Sequence, residues 1–221
     1  MNYQIGSDYH DGSVYHMAER HSTLRARRRA QTQRTIQAHA IRLFGERGYD
    51  GTTMNDVAEA AGVSPMTVYR HFPTKEDLVL TDRYGELIAE AIAASPAGRP
   101  LVRRIGDALV EAAAAVTGDD AAADRQALLV RLQLMISTPA LRARHLDNQY
   151  ALQQAIIDAL QGDVADPDAA FQAQAAASAC LAALHTAMVR WAEDDGRSDL
   201  PHLIGRALAA VFGDDAIGPE R

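Results

Sequence analysis

Apolar residues recur at helical spacing along most of the chain, and no segment alternates convincingly between apolar and polar residues as a strand would. Ile36, Ala40, Leu43 and Phe44 follow the i, i+4, i+7, i+8 pattern of one helix face, which predicts a first helix over about 32–47. Alanine is abundant, and valine, isoleucine and aromatic residues are sparse, which also favours helix over strand. The expected fold class is therefore all-α.

Two short helices are predicted after the first one. Thr53 is a favourable cap for the second helix, and Ser64 caps the third, with Pro65 at a first position that needs no N–H donor. Ala61, Gly62 and Val63 join the two helices, and Gly62 permits a tight turn. Two short helices at this spacing are typical of a helix-turn-helix.

The rest of the chain predicts a second, larger helical unit. Thr74 is expected to cap a fourth helix that reaches about Ala94, and the segment SPAGRP at 95–100 is the clearest break. Further helices are predicted over about 101–116, 120–136, 139–161 and 167–192, and from Asp199 onward. We divide the chain into a disordered extension (1–21), a helix-turn-helix domain (22–80) and a larger helical domain (81–221), for which the family resemblance given below implies effector binding and dimerisation.

The net charge of −7 is unevenly distributed. Residues 22–75 hold nine basic and four acidic residues, whereas residues 76–221 hold twelve basic and twenty-two acidic residues. A basic segment on an acidic body indicates a local surface that binds a polyanion. Three consecutive arginines, Arg27, Arg28 and Arg29, precede the predicted first helix, where they could follow a DNA backbone or enter its minor groove. A solvated charge cluster is the alternative for this run.

Composition also narrows the compartment and the chemistry. Cys180 is the only cysteine, which excludes an internal disulfide and a cysteine-based zinc site and favours a cytoplasmic setting. The segment between Asp168 and Arg190 has no charged residue, but its Gln, Ser, His and Thr favour a buried protein helix over a membrane span. The sequence contains no Gly-rich phosphate loop, GxSxG or HExxH motif. We expect no enzyme activity, metal or cofactor; an all-helical metabolite-binding protein or enzyme is the remote alternative.

The predicted packing of the two short helices defines an outer face. Met54, Val57 and Ala61 are expected to pack against Val68 and Phe72. That leaves four side chains of the third helix facing outward, and the N-terminal end of such a helix enters the major groove of DNA. These side chains are Pro65, Met66, Tyr69 and Arg70.

The run from Arg27 to Leu78 resembles the N-terminal domain of the TetR family of transcriptional regulators. The resemblance rests on LFGERGYDGTT, the AGVS turn, TVYRHF and the following TKEDL. It implies a sequence-specific regulator, most often a repressor released from a palindromic operator by a small, largely apolar ligand. An activator or a ligand-independent regulator is the alternative within this class. Beyond about Leu80 the resemblance is one of architecture only.

The resemblance also implies roles for single residues. Phosphate contacts fall to Thr53, Thr67, Tyr69, His71 and Lys75. Contacts at or near base edges fall to Ser64, Pro65, Met66 and Arg70. These roles suit the chemistry, because hydroxyl, phenol and ammonium groups bind phosphates while an arginine can read guanine. For Tyr69 the alternative is an exposed aromatic, and for His71 it is a helix cap.

The resemblance further implies that the last two long helices form a homodimer interface, with candidate residues Leu203, Ala207, Leu208 and Val211. The helices over 101–161 are expected to surround an effector pocket. Its candidate wall residues, for each of which plain core is the alternative, are Leu132, Met135, His145, Tyr150, His185, Met188 and Trp191.

Overall fold

The computed structural model describes residues 12–80, 83–160 and 167–213, and every regular element within these ranges is helical. The helices are α1 (Gly12–Arg47), α2 (Met54–Ala60), α3 (Pro65–His71), α4 (Arg83–Ala94), α5 (Leu101–Thr117), α6 (Ala122–Ser137), α7 (Pro139–Ala159), α8 (Pro167–Glu193) and α9 (Leu200–Phe212). Two 3₁₀ turns, Glu76–Leu78 and Asp119–Ala121, lie before α4 and α6. The prediction of an all-α fold is confirmed. None of the described helices is long and apolar enough to cross a membrane.

The first helix starts much earlier than predicted. α1 begins at Gly12 rather than near Thr32, so the predicted disorder of residues 1–21 is wrong for the backbone from residue 12 onward. Residues 1–11 lie outside the described part of the chain. The early turns have no apolar stripe, which hid them from a search for periodicity, but they are rich in residues with high helix propensity and contain no proline.

The fourth helix also differs from its prediction. Thr74 forms the expected cap: its N–H donates to Oδ2 of Asp77 at 2.9 Å, and its Oγ1 accepts from the N–H of Asp77 at 3.3 Å. The turn that follows is nevertheless a 3₁₀ turn, and α4 begins only at Arg83. The predicted domain boundary after residue 80 falls beside residues 81–82, which lie outside the described ranges.

The structure has two apolar cores. We call residues 25–80 the head and residues 83–213 the body. In the head, one face each of α1, α2 and α3 converges with the 3₁₀ turn around Phe44, Val57, Val68 and Leu78. In the body, α5 packs against α4, α6, α8 and α9, and Trp191 is fully buried with its Nε1–H donating to the carbonyl of Ser198 at 2.9 Å.

The head docks on the body through α6 and α7. Leu141, in the first turn of α7, is fully buried in the head core. Val130 of α6 lies against Gly45 of α1, where an added Cβ would meet Val130 at 3.6 Å, an ordinary van der Waals distance. The sequence did not predict this contact, because helix periodicity identifies an apolar face but not the element it covers.

Candidate nucleic-acid interface and effector cavity

The turn between α2 and α3 is built from backbone hydrogen bonds and one glycine. Gly62 has φ +65°, a left-handed conformation that a side chain would strain. Its N–H donates to the carbonyl of Glu59 at 3.1 Å, and the N–H of Val63 donates to Ala58 at 3.0 Å. These bonds satisfy the last carbonyl groups of α2 and turn the chain into α3.

Thr53 and Ser64 cap the two short helices, as predicted. Oγ1 of Thr53 accepts from the N–H of Asp56 at 3.2 Å. The Oγ1 and the N–H of Thr53 donate to Oδ2 of Asp56 at 2.6 Å and 2.7 Å, and these two bonds lower the pKa of Asp56. Oγ of Ser64 accepts from the N–H of Thr67 at 3.2 Å and lies 2.9 Å from Thr67 Oγ1. All three hydroxyls predicted to lie at the DNA therefore already have partners within the head.

The outer face of α3 is exposed, as the sequence predicted. Pro65, Met66, Tyr69 and Arg70 all lie on the solvent side, and Met66 and Tyr69 are 75% and 48% exposed. The buried residue of this helix, Val68, lies on the opposite face with the adjoining Phe72. The structure thus brings the four predicted outward residues together on one surface.

His71, at the C-terminal end of α3, is half-buried beside the basic part of α1. Burial, together with the charges of Arg29 and Arg70, lowers the pKa of His71. Its Nδ1 is buried and has no hydrogen-bond partner within the described residues. The imidazole is therefore neutral at pH 7, so it would approach a phosphate as a neutral donor. Arg29 is close enough to act on this ring, which places the arginine run next to the end of α3.

Arg27, Arg28 and Arg29 are exposed on α1. Within the described residues none of the three forms an ion pair. A helical arrangement spreads their side chains around the helix instead of along an extended arm. Arg29, the member of the run that acts on His71, therefore adds positive charge near the end of α3.

Lys75 turns away from the outer face of α3. Its Nζ donates to the backbone carbonyl of Tyr49 and lies 4.1 Å from the centre of the Tyr49 ring and 5.8 Å from that of Phe44. The hydroxyl of Tyr49 donates to Oε1 of Glu76 at 2.9 Å, and burial followed by this bond raises the pKa of Tyr49. In this structure Lys75 ties the 3₁₀ turn to the end of α1, and the predicted phosphate contact stays a prediction.

The body contains a partly open cavity of about 320 Å³. The wall is mostly apolar and comes from α4 to α9 and from the segment around the 3₁₀ turn. Four of the predicted wall residues do line it: Leu132, Met135, His145 and Met188. The cavity belongs to the same protein interior that packs α5 against α8 and α9.

Three predicted wall residues lie elsewhere, and these predictions are wrong for this cavity. Tyr150 is 76% exposed, because it lies on the outer side of α7. Trp191 is buried in the core and bonded to Ser198. His185 is behind His145, with ring centres 5.4 Å apart and 29° between the ring planes.

The sequence did not single out the polar wall residues. These are Asp77, Tyr84, Arg131, Asn148 and Gln149. This set contains no lysine. Its two charged members have protein partners: Asp77 lies 3.4 Å from Arg144, and Arg131 donates to the hydroxyl of Tyr84 at 3.4 Å. The sequence signal for these wall residues was the presence of polar residues on the half-buried faces of α6 and α7. Such residues are equally common on an ordinary helix surface, so they did not indicate a cavity.

The last two helices pack side by side and keep part of their apolar surface outside. Leu200, Ile204 and Leu208 form the buried stripe of α9, so the prediction of Leu208 as an interface residue is wrong: it lies in the core of its own chain. The neighbouring stripe of α9 carries the other three predicted residues. Leu203 and Ala207 are half-buried, and Val211 is 56% exposed.

Comparison with known proteins assigns both parts of the chain. Residues 36–81 match the family "Bacterial regulatory proteins, tetR family", and residues 99–213 match "MftR C-terminal domain". The HTH-type transcriptional regulator TcmR of Streptomyces glaucescens is 31% identical over 126 residues, which cover 56% of this chain and 56% of that protein. The chain thus aligns with little more than half the length of this relative.

Two solved structures share the fold. NalD, the secondary repressor of the MexAB-OprM multidrug efflux pump in Pseudomonas aeruginosa, aligns with a TM-score of 0.54 at 24% identity, covering 83% of this chain and 95% of that one. The repressor FadR of Thermus thermophilus, solved with lauroyl-CoA, aligns with a TM-score of 0.54 at 23% identity, covering 86% and 96%. The proteins to which this chain is similar are transcription regulators and not enzymes, in agreement with the sequence. Because the two matches account for head and body, and the second alone spans more than half of the chain, the protein belongs to the TetR family.

Proposed function

We propose that this protein is a homodimeric transcriptional repressor that binds a palindromic operator through α3 and leaves it when a small, largely apolar ligand fills the cavity. The observation that carries the proposal is the exposed face of α3 beside the unpaired arginines of α1. An exposed methionine, tyrosine and arginine along one recognition helix suit the major groove, and the flanking charge suits phosphates.

Relatives of known role support the two halves of this proposal. NalD and the FadR of Thermus thermophilus are both repressors, and that FadR was solved with lauroyl-CoA, which has a long apolar chain. The cavity of this protein has a mostly apolar wall and a volume at the lower end of ordinary ligand sites. A ligand for this cavity is therefore either smaller than a full acyl thioester or only partly enclosed by the protein.

A homodimer is supported by α8 and α9. The exposed residues Phe171, Ala175, Ala182 and Thr186 recur at helical spacing along α8, and Phe171 is 71% exposed. Leu203, Ala207 and Val211 continue an apolar stripe on α9. One helix of seven residues reads little DNA, whereas two related by a two-fold axis read both halves of a palindrome.

The 3₁₀ turn offers a short path from the cavity to the head. Asp77, Val79 and Leu80 line the cavity, while the adjoining Lys75 and Glu76 hold Tyr49 at the end of α1. A ligand that displaces this turn would move the head relative to the body and change the separation of the two α3 helices. By linkage, such a ligand binds free protein more tightly than DNA-bound protein by the same factor.

The test is binding of the full-length protein to the DNA upstream of its own gene, followed by fluorescence anisotropy at several salt concentrations. Wild type should bind in a saturable, salt-dependent way. Tyr69→Ala should weaken binding to specific and random duplexes alike, by about tenfold or more in a dimer. Tyr150→Ala is the matched control, because it removes another exposed tyrosine, this one from the body. Equal affinities of the two variants would contradict the assignment of the α3 face.

A further inference from the structure

The cavity wall contains few groups that could receive a charged ligand. Asp77 pairs with Arg144 and accepts from the N–H of Thr74, and Arg131 donates to the hydroxyl of Tyr84. The remaining wall is dominated by aliphatic side chains such as Ile88 and Leu109. A carboxylate or ammonium group that enters this space would lose its hydration without meeting an uncommitted opposite charge.

His145 is different from these groups. It lines the cavity from α7, and its Nε2 is buried without a hydrogen-bond partner among the described residues. His185 of α8 stacks on the ring at 5.4 Å and so fixes its plane. The imidazole is therefore a polar group in a mostly apolar wall, and a ligand in the cavity can offer it a hydrogen-bond partner.

The ring is in its neutral form at pH 7. Burial, followed by the proximity of His185, lowers the pKa of His145. The charged or titratable groups that line the cavity with it are Asp77, Tyr84 and Arg131. A neutral imidazole has one N–H donor and one acceptor nitrogen, so it can donate to a carbonyl oxygen or exchange a hydrogen bond with a hydroxyl group.

We propose that the effector is an uncharged, largely apolar molecule with a carbonyl or hydroxyl oxygen, and that the imidazole of His145 hydrogen bonds this oxygen. The inference rests on the proposed effector role of the cavity. The apolar wall holds the carbon skeleton, and His145 fixes its orientation. His185 does not touch the ligand and acts as a positioning residue that keeps the ring of His145 in place.

The experiment measures direct binding to the full-length protein by titration calorimetry without DNA. The probes share one carbon count and differ in the polar group: octane, octanol, methyl hexyl ketone, octanoate and octylamine. The ketone and the alcohol should bind wild type about fivefold or more tightly than octane, octanoate and octylamine, as expected for one added hydrogen bond and no buried charge.

Variants assign that preference to the side chain of His145. His145→Phe should lower the affinity for the ketone to that for octane, while unchanged octane binding shows that the cavity is intact. His145→Gln should keep part of the preference, and His185→Phe should keep most of it. Equal binding of ketone and octane to wild type would overturn the inference, as would tighter binding of octanoate or octylamine, no binding of any probe, or a preference that survives His145→Phe.

These outcomes are separable from those of the proposed function. Ligands bound with the expected preference but without release of operator DNA would contradict the repressor mechanism and leave the His145 site standing. Intact operator binding that is released by an effector of another class would contradict the His145 site and leave the repressor mechanism standing.

Discussion

The head and the body place their functional residues on opposite sides of their helices. In the head, the residues proposed to meet DNA are the exposed ones of α3, and the buried face only holds the helix in place. In the body, the residues proposed to meet a ligand point inward from six helices. A change on the exposed face should therefore alter binding without altering stability, whereas a change in the interior of the body alters stability first.

The largest effect is expected in the body core. Trp191→Ala should lower the free energy of unfolding by about 3–5 kcal/mol, because it removes the largest fully buried side chain and its bond to Ser198. Chemical denaturation followed by circular dichroism measures this loss. Trp191→Phe is a milder variant that should still fold, and Tyr150→Ala should change stability by less than about 0.5 kcal/mol. A Trp191→Ala protein with normal stability but altered ligand affinity would restore this residue to the cavity wall.

The second effect tests the apolar stripe left outside the body. Ala207→Arg places a charge in the proposed dimer interface and should give monomers that bind operator DNA roughly a hundredfold more weakly, since only one half-site is then read. Sedimentation and anisotropy measure the two changes. His202→Arg is the matched control, because His202 is exposed and lies on the side of α9 away from Ala207. Wild type that sediments as a monomer at micromolar concentration would contradict the interface.

The same difference between an exposed helix face and a protein interior explains which features the sequence could predict. The caps at Thr53 and Ser64, the left-handed Gly62 and the exposed Met66 and Tyr69 depend on neighbours within a few residues, so the pattern alone identified them. The cavity depends on how distant helices pack. Helix periodicity cannot tell a residue that borders an internal space from one that fills the core, such as Trp191.

Sequence patterns also cannot predict where a given side chain points, in the head or in the body. Lys75 was expected to reach a phosphate, but in the structure it bonds Tyr49, twenty-six positions earlier in the chain. Leu208 was placed on the right helix but faces its own core instead of the outside. For Leu208 the sequence predicted the helix correctly, whereas Lys75 lies before a 3₁₀ turn and not at the start of α4. In both cases the tertiary packing decided where the side chain points.

The third effect compares two basic residues of the head. Arg28→Ala should lower the slope of log affinity against log salt by about one unit, as expected for the loss of one phosphate contact. Lys75→Ala should change this slope less, and should lower the free energy of unfolding by about 0.5–1 kcal/mol because its contact with the Tyr49 ring is lost. If both variants change the slope equally, Lys75 leaves Tyr49 for a phosphate when DNA binds.

The smallest effect concerns the two histidines that the fold keeps neutral, one in each region. Burial is the largest cause of the lowered pKa of both His71 and His145. Because the unfolded chain takes up the proton more readily, each contributes stability that is complete above the ordinary histidine pKa of 6.5 and is lost as the pH falls below it. His71→Gln and His145→Gln should each make the free energy of unfolding less dependent on pH between about 7 and 5. Only His145→Gln should also alter ligand binding, since His71 belongs to the head, so a change in ligand affinity caused by His71→Gln would mean that the two regions are coupled even without DNA.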